Sequence, residues 1–218
     1  MHSMNPELGT RNLELISGFI LAGGMSRRLG RDKASLPLKG KPLACRVAEA
    51  LAPLVSESWL VTNQALAHLP MGLPLITDLR PRQGPLGGLE TALFYARTPL
   101  ALAAAADAPF LAPRLLAALA ARAAKGVRTA VVCRTTQGLQ PFPGIYAVKL
   151  LNRLTAFLND DGRQTRRFLE QIRPQVLAPE EVARLDPEGR SFLNLNTPED
   201  FAAAARLLEE HPGLNPSS

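Results

Sequence analysis

Cysteine is almost missing from this chain: 218 residues contain two, Cys45 and Cys133. Two thiols cannot build a disulfide framework, and neither has the close Cys or His neighbours of a structural zinc site. Both read as small buried apolar residues in a reducing cytoplasm. Aromatics make up 5%, too few for the stacking platforms that nucleic-acid binders interleave with basic residues. No apolar run approaches the ~18 residues of a membrane span. Residues 1–17 carry Glu7 and Glu14 and lack the continuous apolar core of a signal peptide, so they read as a flexible leader.

What is present is an ordinary globular balance, 46% hydrophobic and 20% charged, with 25 Lys+Arg against 19 Asp+Glu and a net charge of +6. The surplus of base asks for an acidic partner, a nucleic acid or a phosphorylated ligand. Most arginines are scattered, but Arg27, Arg28, Arg31 and Lys33 crowd into one glycine-containing loop. That local density, not the total, carries the functional information.

The hydrophobic pattern alternates short apolar runs with helical periodicities. Residues 18–22 (GFILA), 59–62, 73–77 and 129–133 read as strands, and residues 42–54 and 113–125 as helices. Residues 84–88 (GPLGG) read as a break before a helix over 89–96. The alanine-rich run 100–106 has helical propensity, yet its shortness and the Pro99 before it favour a buried central strand ending at Asp107. In the second half, residues 140–148 (QPFPGIYAV) predict an irregular or edge strand, because proline cannot donate to a ladder. Residues 150–158 and 165–172 predict helices around an Asp160-Asp161-Gly162 turn, residues 191–195 a short strand, and Thr197 the cap of a helix from Pro198 towards Glu210. The tail 212–218 reads as flexible. Alternating strands and helices imply βαβ units and a mostly parallel sheet, whose ligands sit at the carboxyl ends of the strands. The loop after Ala22, Asn63, Asp78 and Asp107 all fall there.

Residues 21–33 read LAGGMSRRLGRDK. A glycine loop after a first strand can turn several backbone N–H groups onto phosphate oxygens, with a lysine adding charge. The spacing fits neither a Walker loop nor a dinucleotide fingerprint. The longer stretch LAGGMSRRLGRDKASLPLKGKPL resembles the signature of nucleotidyltransferases of the sugar-phosphate pyrophosphorylase type. Together with QGPLGG (83–88), Asp107-Ala-Pro-Phe-Leu, QPFPGIY (140–146), Gly162-Arg-Gln-Thr and the closing Asn194-x-Asn196-Thr-Pro, it is most similar to the molybdenum cofactor guanylyltransferases. The resemblance runs in order over residues 18–208. It departs at Ala106 and Ala108, where the family usually has a cysteine and often a methionine beside the aspartate. Because the carboxylate is kept, this departure implies altered packing, not lost metal binding.

The resemblance implies a three-layer Rossmann-like (GT-A-like) fold with a mostly parallel mixed central sheet flanked by helices. Residues 18–211 would form one nucleotidyltransferase domain, with a nucleotide-binding half (18–135) and an acceptor half (136–211). It implies Mg²⁺-dependent transfer of GMP from GTP to molybdenum-bound molybdopterin, with pyrophosphate released and no protein nucleophile. Leu21, Ala22 and Gly23 would lie against the nucleotide through their backbone, and Gly24 would let the chain approach the phosphates. Arg28 and Lys33 are the candidates for phosphate charge, one as a fork and one as a point charge. Asp107 is the candidate Mg²⁺ ligand, or alternatively a helix cap. Asn63, Asp78 and Gly84 are nucleotide-side candidates, and Asn194 and Asn196 acceptor-side candidates. The asparagines and Asp78 could otherwise be turn formers. A cytidylyl- or sugar-phosphate transferase and a non-catalytic nucleotide-binding adaptor remain as alternatives. The implied setting is a cytoplasmic monomer or weak homo-oligomer, working with pterin-delivering or molybdoenzyme-maturation proteins and with no nucleic acid or membrane. His68, Phe142 and Tyr146 receive no role here, the two aromatics reading as edge-strand packing.

Overall fold

The computed structural model describes residues 16–22, 32–81 and 83–214. Strands β1 (Ile16–Ala22), β4 (Ser58–Thr62), β5 (Leu75–Thr77), β6 (Leu100–Ala105), β7 (Ala130–Thr135), β8 (Gly138–Ala147) and β9 (Gln175–Leu177) form one sheet. A two-stranded hairpin, β2 (Pro37–Leu38) and β3 (Lys41–Pro42), stands apart. The helices are α1 (Leu43–Leu51), α2 (Ala65–His68), α3 (Gly84–Tyr95), α4 (Pro113–Ala124), α5 (Leu151–Asn159), α6 (Thr165–Ile172), α7 (Pro179–Leu185) and α8 (Pro198–Glu210). Strand order is β5-β4-β1-β6-β8-β7-β9. Pairing is parallel across β5, β4, β1 and β6 and between β7 and β9, whereas β8 runs antiparallel to both its neighbours. This is the expected mixed, mostly parallel sheet between helical layers. Among the described residues, no helix is long and apolar enough to cross a membrane.

Period-two alternation divides the core. Ile16 and Ile20 of β1 and Leu102 and Ala104 of β6 pack on one face, against Val47 and Leu51 of α1 and Leu116 and Leu119 of α4. Phe19, Leu21, Ala101 and Ala103 pack on the other, against Leu89 and Leu93 of α3, Leu154 of α5 and Phe168 of α6. Each larger aliphatic side chain so buried contributes roughly 1.5–3 kcal/mol. The alanine run is a central strand, as its shortness suggests. Six rungs to β1 and four to β8, with both faces covered, override the helical propensity of alanine. A third cluster, Leu38, Leu43, Phe110, Leu195, Ala204 and Leu208, seats α8 on the hairpin and on the loop after β6.

Four expectations are corrected. First, β1 begins at Ile16, and Ile16 and Ser17 are buried in the sheet, so the expected leader overlaps the strand by two residues. Second, residues 84–88 do not break the chain but open α3. Pro85 sits in the first turn, where no N–H is needed. Gly87 is required because a Cβ there would lie 2.9 Å from Gln83 Cβ and 3.1 Å from the Arg80 carbonyl. Third, of the two alternatives for β8 the edge one falls, since the strand is interior, and the irregular one holds as a register shift against β7. β8 pairs with β7 at Cys133↔Gln140 and again at Val131↔Ile145, so residues 141–144 leave that ladder and Pro141 and Pro143 need not donate there. Fourth, residues 191–195 form a 3-10 turn (Arg190–Phe192) and an irregular stretch, not a strand. Leu195 points into the third cluster, and its N–H reaches the Asp107 carbonyl at 2.9 Å.

The displaced part of β8 is tightly filled. The buried Tyr146 hydroxyl donates to the Pro141 carbonyl at 2.6 Å, and a Cβ on Gly144 would fall 2.5 Å from that same oxygen. Gly144→Ala is therefore expected to lower stability by about 1–3 kcal/mol, read as a reduced urea midpoint with an unchanged slope.

Candidate functional site

The carboxyl ends of β1, β4, β5 and β6 share one sheet edge. Because β8 is antiparallel, its amino-terminal part reaches that same edge. There a cavity of about 420 Å³ is lined by Leu21, Ala22, Asp32, Lys33, Val61, Asp78, Gly84, Gly88, Asp107, Phe142 and Asn194, with Gln140 and Pro141 beside Phe142. The β1–β6 register sets Leu21 opposite Ala105, and the Ala106 N–H donates to the Leu21 carbonyl at 3.1 Å. These contacts bring Asp107 beside the carboxyl end of β1.

Lys33 stands at the centre. Its Nζ lies 3.3 Å from Asp107 Oδ2 and also donates to Asn196 Oδ1. The preceding Asp32 fixes the backbone: Oδ1 accepts from the Ala34 N–H at 3.0 Å, capping the turn Lys33–Ser35, and the Ser35 hydroxyl donates to the Asp32 carbonyl. The other Asp32 oxygen abuts Nε2 of the fully buried His68 at the end of α2. The Lys33–Asp107 pair is only partly buried, and such pairs contribute about 0–1 kcal/mol net. A multiply charged ligand can therefore draw the ammonium away at little cost.

Asp78 is the fixed acid on the opposite side, 7% exposed. Its Oδ1 accepts from the Thr91 hydroxyl at 2.9 Å and the Arg80 N–H at 3.1 Å, and Oδ2 faces Asn63 Nδ2 at 3.4 Å. Thr91 also accepts from the Leu79 N–H at 3.0 Å, so the segment leaving β5 is bound to α3. Asn63 is exposed and joins the site through Asp78.

In the segment before α8, Asn196 Nδ2 donates to the Asn194 carbonyl at 3.2 Å, and the Asn196 and Thr197 N–H groups both donate to Asp200 Oδ2. Thr197 returns a bond from the Asp200 N–H, completing a capping box at the start of α8. Of the residues singled out from sequence, Leu21, Ala22, Lys33, Asp78, Gly84, Asp107 and Asn194 line one cavity. Asn63 and Asn196 border it through hydrogen bonds. Gly23, Gly24 and Arg28, with Arg27 and Arg31, lie outside the described residues. Sequence reasoning missed Thr91, the His68–Asp32 contact and the cavity wall at residues 140–142. The only available signal for that wall was the motif QPFPGIY. Its prolines look like edge-strand features until the register shift is known.

The donor set suits a magnesium ion. Asp107 and Asn196 already aim two oxygens at one cation, the Lys33 ammonium. Among the described residues there is no cluster of three or more His, Cys, Asp or Glu side chains that could hold a metal unaided. Mg²⁺ typically takes one or two protein carboxylates and fills its sphere with substrate phosphates and water. Burial pushes the Cys133 thiol up to about 12, which leaves it an uncharged core residue.

A glycine-loop strand, a strand-end aspartate and a lysine meeting at the carboxyl edge of a mixed sheet define a nucleotidyltransferase, and residues 18–176 match the family described as "MobA-like NTP transferase domain". The chain is 37% identical over 198 residues to the "Probable molybdenum cofactor guanylyltransferase" of Chloroflexus aggregans, covering 89% of this chain and 95% of that protein. It is 37% identical over 203 residues to the "Molybdenum cofactor guanylyltransferase" of Cereibacter sphaeroides, covering 88% and 97%. The crystal structure of "Molybdopterin-guanine dinucleotide biosynthesis protein A" from Archaeoglobus fulgidus superposes with a TM-score of 0.74 at 26% identity, over 89% and 99% of the two chains. The chain belongs to the molybdenum cofactor guanylyltransferase family.

The Asn194–Asn196 segment should respond to acid. The Asn196 amide foremost, then the Thr197 amide, hold the Asp200 carboxyl below its usual range. Its contribution is complete above the ordinary carboxylate value of about 4 and is lost as pH falls through the lower folded value. Asp200→Asn is therefore expected to flatten the acid limb of thermal stability below about pH 4 in melts taken across pH.

Proposed function

We propose that this enzyme transfers GMP from GTP to the terminal phosphate of molybdenum-bound molybdopterin, releasing pyrophosphate, with Mg²⁺ required. The observation that carries the reading is the meeting of Lys33, Asp107 and Asn196, which joins a nucleotide wall (Leu21, Ala22, Asp78, Gly84) to an acceptor wall (Asn194) in one cavity. The names of the similar proteins support the choice of guanylate and of the pterin.

In this reading residues 18–135 bind the nucleotide and residues 136–211 the acceptor. The backbone at Leu21, Ala22, Gly23 and Gly24 lies along the nucleotide, and Asn63 and Asp78 hold its base or ribose. Lys33 and Arg28 neutralise the triphosphate, and Asp107 would hold the magnesium ion, with Asn196 beside it. When bound, the ion supplies charge neutralisation between the phosphates. Asn194 and Asn196 orient the acceptor so that its phosphate oxygen attacks the α-phosphorus in line. The bond to the new oxygen forms as the α–β bridging bond breaks, the electron pair leaving with pyrophosphate. Positioning and charge stabilisation supply the rate, with no protein nucleophile. Both cysteines are free, which suits a reducing cytoplasm. Working as a monomer or weak homo-oligomer, the enzyme would receive its pterin from, and pass its product to, proteins of cofactor maturation.

Incubation with GTP, Mg²⁺ and the pterin acceptor is expected to release pyrophosphate. Release with CTP in place of GTP would instead assign the chain to cytidylyl transfer. Asp107→Ala is expected to reduce turnover at least a hundredfold, in line with loss of about 3 kcal/mol of charge stabilisation, while circular dichroism and the melting midpoint stay near wild type. Retained turnover would remove Asp107 from the metal site.

A further inference from the structure

Phe142 lines the cavity, yet the reaction as described gives it nothing to do. Its position is set by topology. β8 lies on the opposite side of β6 from β1, β4 and β5, so Asp107 at the end of β6 separates Phe142 from Asn63 and Asp78. The ring therefore belongs to the acceptor wall, with Asn194.

The support beneath it is built. Residues 141–144 leave the β7 ladder between the Cys133↔Gln140 and Val131↔Ile145 pairs. Tyr146, itself fully buried, ties this segment down by its bond to the Pro141 carbonyl. Its ring backs that of Phe142 at a centroid distance of 6.2 Å and 51° between planes. Gly144 leaves no free space between the Pro141 carbonyl and the Tyr146 ring, and prolines flank Phe142 on both sides. The outcome is a half-buried aromatic ring with restricted backbone, packed from behind and lining the cavity. Such a ring has little conformational freedom left to lose, and its face suits a flat heteroaromatic ligand.

We infer that Phe142 is the stacking platform for the pterin ring of the acceptor, and so a residue that selects a planar bicyclic head group. The inference rests on the acceptor half proposed above. It assigns to one side chain a role that the phosphate chemistry leaves open.

The test uses the full chain with GTP, Mg²⁺ and molybdenum-bound molybdopterin, comparing wild type, Phe142→Leu and Phe142→Tyr. Leucine keeps the apolar volume against Tyr146, and a thermal melt confirms that each variant folds. Phe142→Leu is expected to raise the acceptor KM about tenfold, in line with the loss of one base–aromatic stack, with the GTP KM and kcat within about twofold. Phe142→Tyr is expected to restore the acceptor KM. A rise in the GTP KM instead would place the ring under guanine and overturn the inference. Unchanged constants, or failure of tyrosine to rescue, would reduce Phe142 to packing. A binding arm separates this from the reaction itself: fluorescence anisotropy of metal-free molybdopterin, without nucleotide. If wild type binds the pterin and Phe142→Leu binds it about tenfold more weakly, the inference stands even where no GMP transfer is seen. If wild type does not bind the pterin, both readings fall.

Discussion

An ammonium group on a flexible four-carbon stem meets oxygens from residues 74 and 163 positions further along the chain, and the rest of the site is arranged around that meeting. Holding a lysine side chain still costs up to about 2 kcal/mol of rotamer entropy, more than a partly buried ion pair still open to solvent returns. The contact therefore cannot be what draws the three segments together. That work falls to apolar burial. β1 and β6 zip along six rungs to bring Asp107 beside the loop exit, and Leu195, Ala204 and Leu208 close on Leu38, Leu43 and Phe110 to bring Asn196 there. Asp32 and His68 fix the backbone from which Lys33 projects. A strong frame with a weak central contact suits the proposed role, in which the lysine would exchange its partners for phosphate.

The antiparallel setting of β8 matters as much as the parallel half of the sheet. Parallel strands present only their carboxyl ends at the site edge: Ala22, Thr62, Thr77 and Ala105 all stop there. A reversed strand brings its amino-terminal part to the same edge, giving the cavity a wall of different chemistry. Pro141 and Pro143 would harm an ordinary central strand. Here they fall where the β7 ladder is interrupted, and the interruption lets Gln140 and Phe142 reach the cavity.

Local signals were legible where one physical cause dominated. Thr197 followed by Pro198 and Asp200 marked the start of α8, because a capping box needs only four neighbouring residues. The amphipathic run of α6 gave its limits, Thr165 and Ile172, because its apolar face repeats at helical spacing. Asp107 could be placed at a strand end because the run before it is short and wholly apolar. Where position within an element or distant partners decide, sequence misled. GPLGG looked like a break because its glycines and proline are helix breakers by composition, whereas Pro85 sits in the first turn and Gly87 is needed by the backbone turn that enters the helix. QPFPGIY looked like an edge because the register shift that relieves its prolines belongs to β7. The segment before Asn196 looked like a strand because Leu195 is buried by α8 and the hairpin, which no local window contains. Thr91 gave no signal at all, since its partner Asp78 is 13 residues away on another element.

The charge balance also takes on a different meaning once residues have places. Several of the described cations away from the cavity are met by carboxylates: Arg122 by Glu181, Arg166 by Glu170, Arg163 by Asp161, Arg190 by Glu188 and Lys39 by Glu209. These are surface pairs whose fields are screened within about 10 Å. Inside the cavity, one described lysine shares the wall with three described aspartates, Asp32, Asp78 and Asp107, so this part of the wall is not basic. A triphosphate cannot be held by that set alone. In the proposed reading, the further positive charge would come with the substrate as a divalent ion and from Arg27, Arg28 and Arg31, in the loop whose described flanks, Ala22 and Asp32, both line the cavity. The two sources are complementary. In the proposed reading, an ion held by Asp107 would neutralise the aspartate that would otherwise repel phosphate, and arginines of that loop would add the charge that a single lysine lacks. On that reading the described part of the wall would favour the nucleotide only once a cation accompanies it.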